Sequence, residues 1–351
     1  MMTVEHSTAD HSLPLPTGPR EHAALVRRVN QLYHELTGHA FDNEHRYRHR
    51  VERSFWQRVA RQVLCTSSAS KPRVIIDLAC GTGFVSEIWR PYLKGTDSLI
   101  ALDLGLSTLQ SARSKWINND HTPAYASYFP LAGDGASLPL ANESVDLVGI
   151  NAALHHVPDP VAALREIDRV LRPGGYFALG FEPNHTHFGS YMNRMAKGMD
   201  RLVWYTDIQQ NRRRLRAWLA GKRIDTSDVH EDTWVATLNT RLIAEGYLPT
   251  PLNEESLLNL VDPHARGAGP SAGFDAADLL RRVMPGYEVC RLTFSDYLGL
   301  GIRRLPTVRT IVDKLVHAAL PEHGSLFSWL IRKNTGWHDP TPCTGTEGGQ
   351  C

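Results

Sequence analysis

Short apolar runs alternate along the chain with stretches whose apolar residues recur every third or fourth position. Val74–Ile76, Ser98–Asp103, a segment opening at Tyr128, Ser144–Asn151 and Tyr176–Phe181 are the runs, and the first reads as a strand buried on both faces of a parallel sheet. Between them the spacing predicts helices. Phe84, Val85, Ile88 and Trp89 form one apolar side, a second helix covers Ser107 to about Trp116, and a third covers Pro160–Arg172 with Val161, Leu164, Ile167 and Val170 on one face. Pro173-Gly174-Gly175 stops that helix and turns the chain back into sheet. The resulting fold class is α/β, with ligands expected at the carboxyl ends of the strands.

Helical periodicity also flanks this core. Leu25, Val29 and Leu32, then Val51, Phe55, Val59 and Val63, predict helices over residues 20–64, with a turn at Thr37–Asp42. Helical pieces at Tyr191–Tyr205, Asn211–Ala220, Asp232–Gly246 and Glu254–Val261 are followed by Gly- and Pro-rich breaks over 262–271. An insertion of this length in an α/β fold usually covers the active site, so it is read as a helical lid. Tyr287–Asp296, a helix over Val308–Leu320 and Ser325–Arg332 return the chain to sheet. The expected organisation is a disordered lead (1–19), an N-terminal helical cap (20–70), a core (71–184), a lid or substrate insertion (185–285), the end of the core sheet (286–333) and a disordered tail (334–351).

Composition narrows the partners. With 351 residues, 42% hydrophobic, 21% charged and a formal net charge of +1, nothing in the global charge argues for nucleic acid or an acidic membrane. No apolar run is long enough to span a bilayer, and Leu13-Pro14-Leu15-Pro16 is too short and broken for a signal core. The five cysteines are scattered without a C-x-x-C pair, so a cytoplasmic protein with reduced thiols is expected. Arg212–Arg216 is a basic run that suits an anion, though a solvated helix face is the plainer reading.

The chemistry starts where the first strand ends. Asp77 precedes the loop Ala79-Cys80-Gly81-Thr82-Gly83, and a helix follows. Ser86 stands where a dinucleotide fingerprint needs its third glycine, and the loop lacks a P-loop lysine. A carboxylate there accepts hydrogen bonds from an ammonium group or from loop amides, and repels a pyrophosphate. This stretch resembles motif I of the class I S-adenosylmethionine (SAM) dependent methyltransferases. Asp103-Leu104-Gly105 resembles the second motif of that family, Gly133-Asp134-Gly135-Ala136 the third, Leu154-His155-His156-Val157-Pro158-Asp159-Pro160 its "LHHVPDP" segment, and Leu164–Gly175 its "L-x-E-x-x-R-V-L-[KR]-P-G-G" signature.

The resemblance implies a Rossmann-like seven-stranded sheet with helices on both faces, a SAM cofactor, and roles for particular residues. Asp77, Ala79, Gly81 and Gly83 would cradle the methionine part; Asp103, with Leu104 beside it, the ribose; Asp134 the adenine amino group, with the N–H of Gly135 or Ala136 facing a ring nitrogen; Asn151 would border the sulfonium. Asp103 as a helix N-cap and Asp134 as an Asp-Gly turn are the plain alternatives.

His155, His156 and Glu182 lie on the rim where the methyl group would emerge. A neutral imidazole there can take a proton from a nucleophile, and a packing role serves as well. Glu182, His185 and His187 have a metal-compatible spacing, but with 17 histidines such clusters arise by chance, and no metal is expected. The expected function is methyl transfer to a small-molecule acceptor, without nucleic acid or membrane. The rivals are a SAM-consuming cyclisation that releases methylthioadenosine and a non-catalytic SAM-binding partner protein. A nicotinamide dehydrogenase is disfavoured by the missing glycine.

Overall fold

A computed structural model describes residues 18–44, 46–65, 71–118, 126–188, 190, 191, 193, 231–265, 272–297 and 314–335. The lead before residue 18, most of Tyr191–Tyr205, all of Asn211–Ala220 with the Arg212–Arg216 run, the start of the Val308–Leu320 helix and the tail after residue 335 lie outside them.

Seven strands form the centre: β1 (Val74–Leu78), β2 (Ser98–Asp103), β3 (Ser127–Ala132), β4 (Val145–Asn151), β5 (Leu171–Pro183), β6 (Tyr287–Ser295) and β7 (Leu326–Lys333). They form one sheet in the order β3-β2-β1-β4-β5-β7-β6. β1 to β5 run parallel, while β7 lies antiparallel between β5 and β6. The order reverses between β1 and β4, which opens a crevice at their carboxyl ends. The interior strands are the unbroken apolar ones. β3, an edge, carries Pro130 and alternates exposed positions, so it offers neighbours a poor template.

The helices are α1 (Pro19–Glu44), α2 (Arg46–Ala60), α3 (Phe84–Trp89), α4 (Leu106–Ile117), α5 (Pro160–Val170), α6 (His185–Phe188), α7 (Glu231–Ala244), α8 (Glu254–Val261) and α9 (Ala276–Arg282). α5 starts cleanly because the Asp159 carboxylate accepts the Ala162 N–H at 2.9 Å and Pro160 fills the first turn. Its stripe of Ala163, Leu164, Ile167 and Val170 packs on one sheet face with residues of α9. Phe55, Trp56 and Val59 of α2 pack on the other face with Val85, Ile88 and Trp89 of α3.

The N-terminal segment departs from its expected form in two ways. α1 runs unbroken through Thr37–Asp42, where a turn is predicted. Thr37 returns its hydroxyl hydrogen to the Tyr33 carbonyl within the helix at 2.8 Å. One internal glycine costs a helix only about 1 kcal/mol. The segment is also not one cap. α2 belongs to the sheet, whereas Leu25, Val26, Val29 and Leu32 of α1 form a separate core with Leu238 and Leu242 of α7 and Leu257, Leu260 and Val261 of α8. α1 therefore packs with helices of the insertion that follows β5.

Beneath the sheet's amino end, Arg73 and Asp97 form a buried pair, with Nε–Oδ1 at 3.0 Å and Nη2–Oδ2 at 2.5 Å, and Arg73 Nη1 donates to the Leu64 carbonyl at 2.8 Å. Among the described residues no helix is long and apolar enough to cross a membrane.

Candidate active site

The glycine loop is held in a left-handed path, with Ala79 at φ 52°, Gly81 at φ 51° and Gly83 at φ 85°. Two main-chain bonds fix it: Cys80 N–H to the Leu102 carbonyl at 3.0 Å and Gly83 N–H to the Cys80 carbonyl at 2.8 Å. The two glycines do different work. A Cβ on Gly81 would meet nothing within 4 Å, so the loop faces open space there, while one on Gly83 would press on Ala112 of α4 at 3.0 Å. Gly81 thus leaves room for a ligand; Gly83 lets α3 and α4 approach.

Asp77, next to last in β1, is almost fully buried, and its Oδ2 accepts both the Ser86 N–H at 2.9 Å and the Ser86 hydroxyl at 2.6 Å. This explains serine at the position where a dinucleotide site has glycine: it ties α3 to the strand end. Burial, reinforced by the Asp103 charge and opposed by the Ser86 bonds, pushes the Asp77 carboxyl up to about 7. Since its folded value lies above the unfolded one, Asp77 contributes stability that is lost as pH rises from about 4 through about 7.

Asp103 ends β2. Its Oδ2 accepts Gly81 N–H at 2.8 Å, and its Oδ1 accepts Gly105 N–H at 2.8 Å and the Thr108 hydroxyl at 3.0 Å. A carboxylate offers about four acceptor sites, so one lone pair on Oδ2 remains for a ligand hydroxyl. Asp103 is not the N-cap of the plain reading, since Gly105 holds that position, but its bonds to the Gly105 N–H and the Thr108 hydroxyl tie the start of α4 to the strand end.

At the third strand tip, Asp134 Oδ1 accepts the Ala136 N–H at 2.9 Å and its Oδ2 pairs with Arg27 of α1 at 3.2 Å. Of the two amides offered to an adenine ring, that of Ala136 is therefore engaged within the turn, and Gly135 is the one that lines the cavity. Asn151, at the end of β4, accepts Trp56 Nε1–H at 2.7 Å and donates to Glu52 Oε2 at 3.1 Å. Its amide orientation is thereby fixed, and the buried carboxylate of Glu52 enters the cavity wall beside it.

The three rim residues divide. The Glu182 carboxylate, fully buried, accepts the main-chain N–H groups of Ala153, Leu154 and His155 at 2.8, 2.9 and 3.1 Å, and its Oε2 meets His155 Nδ1 at 2.8 Å. Glu182 and His155 hold the loop shape and do not line the cavity. His156 does line it. Glu182, His185 and His187 do not converge on a metal: His185 Nδ1 faces the Ala272 carbonyl at 3.3 Å and His187 Nδ1 the His323 carbonyl at 2.9 Å. His155, His156 and Asp262 lie closer together, but their facing atoms bond one another, Glu182 and the Val261 carbonyl.

A cavity with mostly apolar walls joins Asp77, Gly81, Asp103 and Asn151 to His156, beneath Arg27, Asn30 and His34 of α1. Asn30 is 5% exposed, and its Oδ1 has no hydrogen-bond partner among the described residues. The α1 residues were not legible as site residues, because only the packing of α1 on α7 and α8 brings them over the strand ends.

A family model described as a methyltransferase domain matches residues 76–179. Over that stretch the chain is similar to a methyltransferase domain. Malonyl-[acyl-carrier protein] O-methyltransferase of Yersinia pestis is 39% identical over 102 residues, 29% of this chain and 34% of that protein. Demethylmenaquinone methyltransferase of Renibacterium salmoninarum is 34% identical over 117 residues, 33% of this chain and 44% of that protein. The chain thus spans less than half the length of these curated relatives. The solved CurJ carbon methyltransferase is similar at a TM-score of 0.43 and 12% identity, over 81% of this chain and 55% of that one.

A cationic methyl donor fits this cavity. Gly81 leaves an open cradle, Asp103 keeps one acceptor site, and Asp77 is an acid whose ionisation a nearby cation favours. Replacement of Asp103 by alanine is expected to weaken SAM binding by about 1–3 kcal/mol, the loss of a charged acceptor. Calorimetry showing unchanged affinity would remove Asp103 from the site.

Proposed function

We propose that this protein transfers the methyl group of SAM to a small-molecule acceptor held beneath α1. The observation that carries this reading is the single cavity running from the glycine loop and Asp103 to His156, roofed by α1. SAM supplies a methyl group on a sulfonium that is already a good leaving group. The protein's own part is then to hold the donor, align an acceptor and exclude water. Asp77, Ala79 and Gly81 would hold the methionine part, Asp103 and Leu104 the ribose, and Asp134 and Gly135 the adenine. Asn151, fixed by Trp56 and Glu52, would border the reacting carbon.

The position of Asp77 gives this reading a proton signature. A ligand ammonium near Asp77 favours the carboxylate, so the complex holds fewer protons than the free protein. Affinity for SAM is therefore expected to rise with pH up to about 7 and then level off. Calorimetry at pH 6 in two buffers of different ionisation enthalpy should report proton release. In Asp77→Asn that release should vanish; its persistence would place the titrating group elsewhere.

A further inference from the structure

We propose that His156 and Asp262 form a general-base pair, and that the acceptor is a small, largely apolar molecule reacting through an acidic hydroxyl of phenolic or enolic type. This deepens the SAM-dependent reading and rests on it.

Asp262 follows α8, far from His156 in sequence, and belongs to the insertion rather than to the methyltransferase domain. Its Oδ1 lies 3.0 Å from His156 Nδ1, and the Val261 carbonyl lies 2.7 Å from the same nitrogen. With two acceptors facing it, Nδ1 carries the proton, and Nε2 keeps the lone pair on a residue that lines the cavity. The loop is clamped around this arrangement. His264 Nε2 meets the Val157 carbonyl at 3.1 Å, and the Asn30 amide of α1 reaches the carbonyls of Val26, His156 and Leu260 at 3.1, 3.4 and 3.3 Å. Lid, α1 and rim loop thus converge on one imidazole.

The groups around it set its basicity. His34 of α1 stands edge-on to the His156 ring at 5.2 Å and is pushed down to about 3 by burial and by His156, so it stays neutral. His155, on the same loop, is lowered by burial and by the His156 charge, and Glu182 of β5 adds a more distant negative charge. Burial disfavours the imidazolium of His156, but Asp262 and the Val261 carbonyl outweigh it and raise the group above its ordinary value. The pair stabilises the cation formed when the base takes a proton, as a carboxylate–imidazole couple does elsewhere.

The chemistry then selects the acceptor. A carboxylate acceptor needs no base. An aliphatic alcohol is too weak an acid to match an imidazole, whereas a phenolic or enolic hydroxyl is closer. In the step, the acceptor O–H proton passes to His156 Nε2 as the oxygen forms its bond to the methyl carbon. The carbon–sulfur bond breaks, its electron pair stays on sulfur, and the imidazolium later releases the proton to water.

The test uses the full chain with isotope-labelled histidine. His156 should titrate above the ordinary imidazole range, fall in Asp262→Asn and recover in Asp262→Glu, and phenol added with S-adenosylhomocysteine should move its Nε2 resonance. With a panel of substituted phenols, benzoic acids and alkyl amines, methyl transfer should be confined to phenols. Its rising pH limb should track the His156 titration in both wild type and Asp262→Asn, with SAM affinity unchanged. Overturning results are an Asp262→Asn variant with the wild-type His156 titration, a rate profile that ignores that titration, transfer confined to acids or amines, or an inert panel with an unmoved His156 resonance. A chain that does not bind SAM but keeps the shifted His156 titration would instead sink the SAM reading and leave the His156–Asp262 pairing standing.

Discussion

Replacing Gly81 by valine is expected to weaken SAM binding at least about 100-fold, about 2.8 kcal/mol, while the chain stays folded. The side chain would project from a residue at φ 51° into space that holds no protein atom within 4 Å. That space is the floor of the cavity, beside the N–H that Asp103 grips. The left-handed backbone itself costs a non-glycine residue about 1–2 kcal/mol, against a total stability of about 5–15 kcal/mol, so a control of equal strain is needed. Gly246 provides it: its φ is 78°, its Cβ direction is equally open, and it does not line the cavity. Gly246→Val should lose similar stability and keep wild-type affinity. Tight binding by Gly81→Val, measured by calorimetry, would mean that the loop does not touch the donor.

Arg73→Met is expected to destabilise the protein by about 3–5 kcal/mol, because it strands a buried carboxylate. Asp97 is fully enclosed, and Arg73 alone gives it two side-chain hydrogen bonds. Burial works to raise the Asp97 carboxyl, but its bonds to Arg73 and the Lys94 N–H prevail and hold it below the ordinary range. In the wild type this stability is present above about pH 4 and lost as pH falls through the lower folded value. Without Arg73 the burial effect prevails and the folded value rises above the unfolded one. The variant should therefore gain stability on mild acidification, so its deficit in urea unfolding shrinks from pH 7 to pH 5. A deficit that is small, or independent of pH, would show that Asp97 finds other compensation. Arg73→Met combined with Asp97→Leu should recover most of the loss.

Local patterns carried the strand tips. Asp77, Asp103 and Asn151 sit where apolar runs end, and in a parallel sheet those ends must line one crevice. Motif spacing carried the loop as well, though not its division of labour. That Gly83 leaves room for α4 depends on where Ala112 packs. The predicted turn at Thr37–Asp42 is instead helix: the Thr37 hydroxyl returns to the Tyr33 carbonyl, and a helix tolerates one internal glycine. Glu52, Asn30 and Asp262 were not legible in the sequence. Each is an ordinary polar residue on a helix or at its end; only tertiary packing turns Glu52 and Asn30 toward the cavity and brings Asp262 against His156. His155 and His156 are adjacent and look alike in sequence. What separates them is a buried partner for one, Glu182, and a lid partner for the other, Asp262.

The central claim is methyl transfer from SAM. It is met most directly by incubating the purified protein with SAM, with and without a panel of candidate acceptors, and identifying every product by mass spectrometry. The account predicts S-adenosylhomocysteine and one methylated acceptor, formed together and only when that acceptor is present. Methylthioadenosine with a four-carbon amino acid fragment, formed from SAM alone, would contradict it and make SAM itself the substrate.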